Sequence, residues 1–214
     1  MKVEILDAAE SLLIETADES AVSVRAIADR VGVTPPSIYR HFADKDALMM
    51  AVCNGVFARL DEAMEKAAAG TGDPLEEIRA KGRAYIEFGL AHPEHYRILF
   101  MLKREHARRP EPGSGDNLPG AMAFIHLQET IQRVLEMSDP DVPRPDEYAM
   151  TCSLWTAVHG ITSLRIGLPD FPWPSIDEQL DLVVEPWRRT LCPAQKSKPK
   201  AAKRPARRPP ARRR

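Results

Sequence analysis

The sequence predicts an all-α protein, and three observations support that class. Apolar residues recur at helical spacing in most segments of the 214-residue chain. Residues that favour helix N-caps, such as Ser23, Thr34 and Asp44, stand directly before several of these segments. No segment shows the strict apolar–polar alternation that is typical of a half-buried strand.

The first two helices are predicted from an apolar stripe and a cap. Residues 3–17 carry a stripe on one helical face, formed by Ile5, Leu6, Ala9, Leu12, Leu13 and Ala17. Ser23 caps a second helix, whose buried face is formed by Val24, Ile27, Ala28 and Val31. Gly32 ends this helix after eight residues, because glycine adopts the left-handed conformation that follows many helices.

The third helix is short and the fourth is long. Thr34 caps the third, and Pro35 stands at its first position, where the missing N–H costs no hydrogen bond. This helix is expected to end at residue 41 or 42. Asp44 then caps a helix over residues 45–69.

The remainder of the chain is predicted to contain helices, one loop and a tail. The helices are expected over residues 74–91, 93–104, 120–137, 146–167 and 175–192. Residues 105–119 are polar and rich in proline and glycine, which predicts a mobile loop. Residues 193–214 contain little that could be buried, so we expect a disordered tail.

The composition excludes several classes of protein. Hydrophobic residues make up 43% and charged residues 29%, without an apolar run long enough to span a membrane and without a secretory signal at the N-terminus. We therefore expect a cytoplasmic protein without a membrane partner. Cys53, Cys152 and Cys192 are few and far apart, and His92 and His95 have no third ligand nearby in the sequence, so we expect no disulfide and no metal site. No nucleophile–base set or phosphate loop is present, which predicts a protein that is not an enzyme and needs no cofactor.

The most informative stretch is residues 23–48, SVRAIADRVGVTPPSIYRHFADKDAL. Two short helices joined by a tight turn form the unit that fits the major groove of DNA. Val33, Ile38 and Phe42 are expected to hold the second of these helices to the core. That packing leaves an outward face formed by Pro35, Pro36, Ser37 and Arg40.

Over about residues 3–50 the sequence resembles the TetR family of bacterial regulators. The resemblance implies that the short helix opened by Thr34 is the recognition helix. It implies that bases or groove edges are faced by Thr34, Pro35, Pro36, Ser37 and Arg40, and that phosphates are contacted by Tyr39, His41 and Lys45, with Ser23 as a further candidate. Asp18 and Glu19 depart from the family pattern, which commonly has a glycine and an aromatic residue there, so the packing of this turn is expected to differ.

The charge distribution is uneven along the chain. Residues 1–50 hold five basic residues against nine acidic ones, which opposes DNA binding at long range. Residues 196–214 hold ten basic residues and no acidic one. Either the basic groups of the N-terminal unit face the duplex while its acids face away, or the tail supplies the missing attraction. A solubility or processing tail and a membrane-surface patch are the other interpretations of this segment.

The C-terminal part is similar to a subgroup of TetR regulatory domains. The similarity rests on residues 92–100, HPEHYRILF, and on Trp155, His159 and Gly160, and it indicates the tryptophan–histidine–glycine subgroup. It implies a ligand-binding and dimerisation domain. We therefore expect a DNA-binding domain over residues 1–47, an effector domain over 48–192 and the tail over 193–214.

Candidate pocket residues are the large apolar and aromatic side chains of the predicted effector domain, together with one histidine. They are Tyr85, Phe88, Phe100, Met101, Met122, Phe124, Trp155 and His159. Ordinary core packing is the alternative interpretation of each of them, and the one that the sequence favours. A pocket of this kind favours a hydrophobic or aromatic small molecule.

The last two predicted helices have broad apolar faces, which suit a four-helix interface between two subunits. The faces consist of Leu154, Trp155, Val158, Ile161 and Ile166, and of Ile176, Leu180, Val183, Val184, Trp187 and Leu191. Core packing within one subunit is the alternative for many of them. The sequence thus predicts a homodimer that binds a palindromic operator on double-stranded DNA and is released by an unknown small-molecule effector. The alternative function is a ligand-independent architectural DNA-binding protein that uses the basic tail.

Overall fold

The computed structural model describes residues 1–100 and 120–192, and all regular structure in these two ranges is helical. The predicted fold class is confirmed. The α-helices are α1 (Lys2–Thr16), α2 (Val24–Val31), α3 (Pro35–Tyr39), α4 (Lys45–Ala68), α5 (Pro74–Ala91), α6 (Pro93–Phe100), α7 (Ala121–Glu136), α8 (Glu147–Gly167) and α9 (Ile176–Leu191). The predicted loop over 105–119 and the predicted tail over 193–214 lie outside the described residues.

The ends of the helices follow local capping chemistry. The side chains of Ser23, Asp44 and Asp146 each accept a hydrogen bond from a backbone N–H in the first turn of α2, α4 and α8. Ser175 and Glu178 form a reciprocal capping box at the start of α9.

Two details at the N-terminus differ from the sequence-based expectation. Ala17 is not part of the buried stripe: it follows the end of α1, is exposed, and adopts a left-handed backbone with φ of 52°. The third helix ends at Tyr39 rather than at residue 41 or 42. The His41 N–H donates to the Ile38 carbonyl at 2.9 Å, so the chain closes in a tighter turn before α4.

The buried side chains form two clusters. The first cluster joins α1, α2, α3 and the start of α4 around Ile5, Ile27 and Ile38. The second cluster joins the rest of α4 to α5, α7, α8 and α9 around Ile78, Ile131 and Leu154. Because α4 contributes residues to both, this helix connects the two parts of the chain.

Helix α6 also belongs to both clusters. Ile98 is buried in the first cluster, whereas Tyr96 and Leu99 are buried in the second. Successive residues on a helix point in different directions, so a short helix between two cores contacts both. A displacement of α6 would therefore change the packing of both clusters.

Candidate functional site

The geometry of α2 and α3 positions one face of α3 towards solvent. Gly32 makes the turn between them with φ of 79°, and its N–H donates to the Ala28 carbonyl at 2.9 Å. Ile27 and Ala28 anchor α2 in the first cluster, and Ile38, which is 1% exposed, anchors α3. The sharp turn is available because glycine has no Cβ to clash in the left-handed region.

The predicted DNA-contacting residues in α3 and directly beside it lie mainly on the free face of this helix. Thr34, Pro36, Tyr39, Arg40 and His41 are exposed, and Tyr39 is 53% exposed despite its large ring. Pro35 and Ser37 are half-buried. The hydroxyl oxygens of Ser37 and Thr34 lie 3.1 Å apart, which fixes both side chains at the start of the helix.

Ser23 and Lys45 have structural partners in addition to their predicted phosphate contacts. The Ser23 hydroxyl is exposed and accepts a hydrogen bond from the Ala26 N–H at 3.1 Å. The half-buried Lys45 ammonium donates to the Glu19 carbonyl oxygen at 2.7 Å. This bond ties the short 3₁₀ turn Glu19–Ala21 to the start of α4, and no pattern in the sequence indicated it.

Several charges of the N-terminal part are paired within the protein. Arg30 binds Glu15 through two hydrogen bonds of 2.6 and 2.7 Å, and this interaction lowers the pKa of the Glu15 carboxyl. Glu10 contacts both Arg59 and His95, at 2.6 and 2.7 Å. Among the described residues, by contrast, no acidic group pairs with the exposed Arg40. Glu10 and Glu15 therefore face cations of the protein, while the guanidinium of Arg40 has no acidic partner in the described part of the chain.

A cavity of about 590 Å³ lies within the second cluster, between α4, α5, α6, α7 and α8. Its described lining is mostly apolar and aromatic, and it consists of Phe57, Leu60, Met64, Lys81, Gly82, Tyr85, Leu99, Phe100, Gly120, Ala121, Ala123, Phe124, Ile125, Leu127, Gln128, Tyr148, Leu154, Trp155 and Val158. The volume lies within the range of sites for small organic molecules.

The predicted pocket residues other than His159 fall into three groups. Those that line the cavity are Tyr85, Phe100, Phe124 and Trp155. Phe88 packs beside it, with its ring centroid 5.1 Å from that of His92, and Met122 is 57% exposed on the outer face of α7. Met101 lies outside the described residues.

His159 does not line the cavity, but its imidazole contacts the hydroxyl groups of Tyr85 and Tyr96. Its Nδ1 atom is 2.6 Å from the hydroxyl oxygen of Tyr96 and 3.2 Å from that of Tyr85. Burial lowers the pKa of the imidazole, so the neutral form that accepts a hydrogen bond is favoured. Burial also raises the pKa of Tyr96 to about 12, which keeps its hydroxyl protonated.

Sequence reasoning missed the polar residues of the cavity, above all Lys81. This side chain is only 4% exposed, and its ammonium lies 2.5 Å from Glu65 and 3.0 Å from the Thr130 hydroxyl. Gln128 also lines the cavity and donates to Glu147 at 2.7 Å. A lysine in a helical segment is usually solvated, so its sequence context carried no signal of burial.

One group of potential metal ligands occurs in the described ranges. Asp61 and Glu65 on α4 and His126 on α7 have ligand atoms within 4.8 Å of one another. His126 already contacts both Asp61 oxygens at 3.0 Å. The Lys81 ammonium beside Glu65 opposes binding of a divalent cation at the same carboxylate, because like charges repel strongly at this distance.

Comparison with known proteins identifies the family. The profile of bacterial regulatory proteins of the tetR family matches residues 5–52, and that of the tetracyclin repressor-like C-terminal domain matches residues 78–185. The chain belongs to the tetR family. It is a transcription regulator with a helix-turn-helix DNA-binding domain and a ligand-binding C-terminal domain. This family is generally not enzymatic, and its members bind DNA and dimerise.

A relative agrees with this assignment, and solved structures share the fold. The regulator is 30% identical over 97 residues to the HTH-type transcriptional activator FasR of Mycolicibacterium smegmatis, a match that spans 45% of this chain and only 44% of that protein. A protein of unknown function from Rhodococcus sp. RHA1 has the same fold, with a TM-score of 0.69 and 24% identity over 89% of this chain and 94% of that one. A TetR family transcription regulator from Marinobacter aquaeolei VT8 gives a TM-score of 0.60 and 19% identity, over 86% and 93% of the two chains.

None of the helices in residues 1–100 and 120–192 has the length and apolarity needed to cross a bilayer.

Proposed function

We propose that this regulator is a homodimeric repressor that binds a palindromic operator through α3 and leaves it when an apolar ligand enters the cavity. The observation that carries the DNA-binding part is the arrangement of α3, with Ile38 buried and Tyr39, Arg40 and His41 exposed side by side. One such short helix contacts only a few base pairs, so two copies related by a two-fold axis are needed for useful specificity. Because bacterial DNA lies in the cytoplasm, the protein is proposed to work there.

The exposed apolar residues of α8, α9 and the loop between them support a dimer, although most of them are not residues that the sequence favoured. Leu154, Val158, Leu180, Val184 and Leu191 are buried inside the protomer. Of the favoured residues Trp155 is exposed, and four further apolar residues are exposed near it in the chain, namely Leu164, Leu168, Phe171 and Leu182, the last at 78%. Such a concentration of exposed apolar side chains on neighbouring elements is typical of an interface.

The connection between cavity and DNA runs through α6 and α4 in this proposal. Leu99 and Phe100 line the cavity, while Ile98 packs in the N-terminal cluster and His95 contacts Glu10 of α1. A ligand that pushes on Phe100 would therefore displace α1 and change the spacing of the two recognition helices. A coupling free energy of about 1–3 kcal/mol would reduce operator affinity about 5- to 150-fold.

The assignment of the C-terminal domain to the tryptophan–histidine–glycine subgroup belongs to this proposal as well. Trp155 lines the cavity and His159 bonds to Tyr96 beside it. This placement supports a role for both residues in shaping the ligand site.

The DNA-binding part is tested with an operator selected from random double-stranded DNA. Arg40→Ala is expected to weaken binding to the selected sequence by about tenfold, since removal of a base-reading side chain costs about 1–3 kcal/mol. Arg30→Ala is the matched control, because it removes the same charge from a residue already paired with Glu15. Fluorescence anisotropy at fixed salt measures both. Equal operator affinities of Arg40→Ala and the wild type would contradict the proposed contact between α3 and the DNA bases.

The dimer and the sign of regulation need separate measurements. Leu182→Glu is expected to produce monomers in sedimentation velocity and to abolish operator binding. If the variant remains dimeric, Leu182 is not part of the dimer interface. A reporter gene behind the selected operator is expected to be silenced by the protein. Increased expression would make this regulator an activator, as the M. smegmatis relative is named.

A second candidate function rests on the ten basic residues of 196–214. An architectural protein would use this segment to neutralise phosphates without reading sequence. Deletion of residues 196–214 would then reduce the salt dependence of DNA binding by about 0.9 in log–log slope for each phosphate that the tail neutralises. An unchanged slope, together with retained sequence preference, excludes this candidate.

A further inference from the structure

The cavity contains a charge that its apolar lining does not explain. Of the described residues that line it, Lys81 is the single charged side chain, and no aspartate or glutamate is among them. Lys81 is 4% exposed and lies in the middle of α5. An apolar cavity with one buried cation and no lining anion is electrostatically suited to a ligand with one negative charge.

Stability alone gives little reason for a lysine at this position. Burying an ion pair removes both charges from water, and apolar replacements of buried pairs are often neutral or stabilising. The anionic partner, Glu65, is 45% exposed on the outside of α4. Glu65 can therefore turn to water at little cost, whereas Lys81 cannot.

The two neutral partners of Lys81 hold the ammonium in place when Glu65 leaves. The Thr130 hydroxyl oxygen lies at 3.0 Å and the His126 carbonyl oxygen at 3.5 Å. Thr130 is itself fixed by donating to the same His126 carbonyl at 2.9 Å. The third donor of the ammonium is then free to bind an anionic oxygen from the cavity side.

The remaining lining favours an aromatic body for the ligand. Phe100 lies between Phe57 and Trp155, with ring centroids 5.6 and 6.4 Å away, and Phe124 lies 6.1 Å from Trp155. These rings present both faces and edges, which suit offset or edge-to-face contacts with another aromatic ring.

We infer that the effector is an aromatic carboxylic acid whose carboxylate replaces Glu65 as the partner of Lys81. This inference rests on the proposed function of the cavity and specifies the ligand class. The exchange also has a mechanical consequence, because the Glu65–Lys81 pair joins α4 to α5. Its replacement by a ligand loosens α4, the helix whose first residues belong to the first cluster together with α1, α2 and α3.

A pair of closely matched probes tests the charge preference on the wild-type protein. Biphenyl-4-carboxylate and biphenyl-4-carboxamide have nearly the same shape and differ in charge. Isothermal titration calorimetry at pH 7.5 is expected to show at least about tenfold tighter binding of the carboxylate, which is the usual gain from a hydrogen bond to a charged group. Equal or tighter binding of the carboxamide overturns the inference.

Two variants assign the preference to Lys81. Lys81→Met is expected to lose the preference for the carboxylate while still binding the carboxamide, and Lys66→Met, which changes an exposed lysine of α4, is expected to keep it. A preference retained in Lys81→Met overturns the role of this residue. The wild-type ratio decides the ligand charge even if Lys81→Met fails to fold.

The outcomes separate this inference from the proposed function. If both probes bind with equal affinity, the cavity is a ligand site and only the assignment of an acidic ligand is wrong. If neither probe binds, the inference is overturned, while the operator assay with Arg40→Ala still decides DNA binding. If the carboxylate binds but leaves operator affinity unchanged, the ligand class stands and the repressor mechanism fails.

Discussion

Around Ile38, the N-terminal helices bury mainly aliphatic side chains of moderate size, whereas around Trp155 the C-terminal helices surround about 590 Å³ of space with several aromatic rings. The first arrangement suits a rigid unit that must present α3 in one orientation. The second leaves room for another molecule and places polar groups at its margin. One chain thus combines a filled core beneath α3 with a second core that contains a cavity, and the two are joined because α4 and α6 belong to both.

The difference in packing between the two clusters is tested by removing the same atoms from each of them. Ile38→Ala is expected to lower the free energy of unfolding by about 3 kcal/mol, because it leaves a void in a filled core. Ile125→Ala makes the same change at a half-buried residue that already borders the cavity, and about 1 kcal/mol is expected there from the smaller loss of buried area. Urea denaturation followed by circular dichroism measures both. Equal losses would contradict the distinction between the two cores.

A smaller effect separates structure from DNA contact within the N-terminal unit. Lys45→Met is expected to lower the free energy of unfolding by about 1 kcal/mol, because it removes a half-buried hydrogen bond to the Glu19 carbonyl. Arg40→Met is the control and is expected to change stability by less than about 0.5 kcal/mol, since Arg40 is exposed. The same denaturation assay applies. If Lys45→Met has the same free energy of unfolding as the wild type, Lys45 does not stabilise the fold and only its predicted phosphate contact remains.

A stabilising change tests the turn that departs from the family pattern. Ala17→Gly is expected to raise the free energy of unfolding by about 0.5–1 kcal/mol, because Ala17 has a left-handed φ of 52° that glycine adopts without strain. Ala69→Gly, which changes the exposed C-cap residue of α4 at a φ of −58°, is the control and should give no gain. The melting temperatures of the three proteins provide the measurement.

The smallest effect concerns His159 and pH. Because burial lowers the pKa of His159, the unfolded chain binds a proton more readily than the folded one. The resulting stability is fully present above the unfolded pKa of about 6.5 and is lost as the pH falls towards the lower folded pKa. The wild type is therefore expected to lose more stability than His159→Gln between pH 7.5 and 5.5. Identical pH profiles would show that His159 titrates normally.

Much of the fold was predictable because its signals are local. The caps at Ser23 and Asp44, the turn at Gly32 and the spacing of apolar residues depend on neighbours a few positions away. The helix limits consequently agree with the expected ones to within a few residues. The predictable part of the site was α3, since its outward and inward residues follow from helical periodicity once Ile38 is assigned to the core.

The helical class, the helix-turn-helix and the family resemblance could thus be derived from short-range patterns in the sequence. The identity of the aromatic residues around the cavity, the burial of Lys81 and the contact of α6 with both clusters became known from the fold, because they depend on contacts between residues far apart in the chain. Examples are Lys81 with Thr130 and His95 with Glu10. The spacing of residues in the sequence does not indicate such contacts, because the burial of a side chain depends on the helices that pack around it.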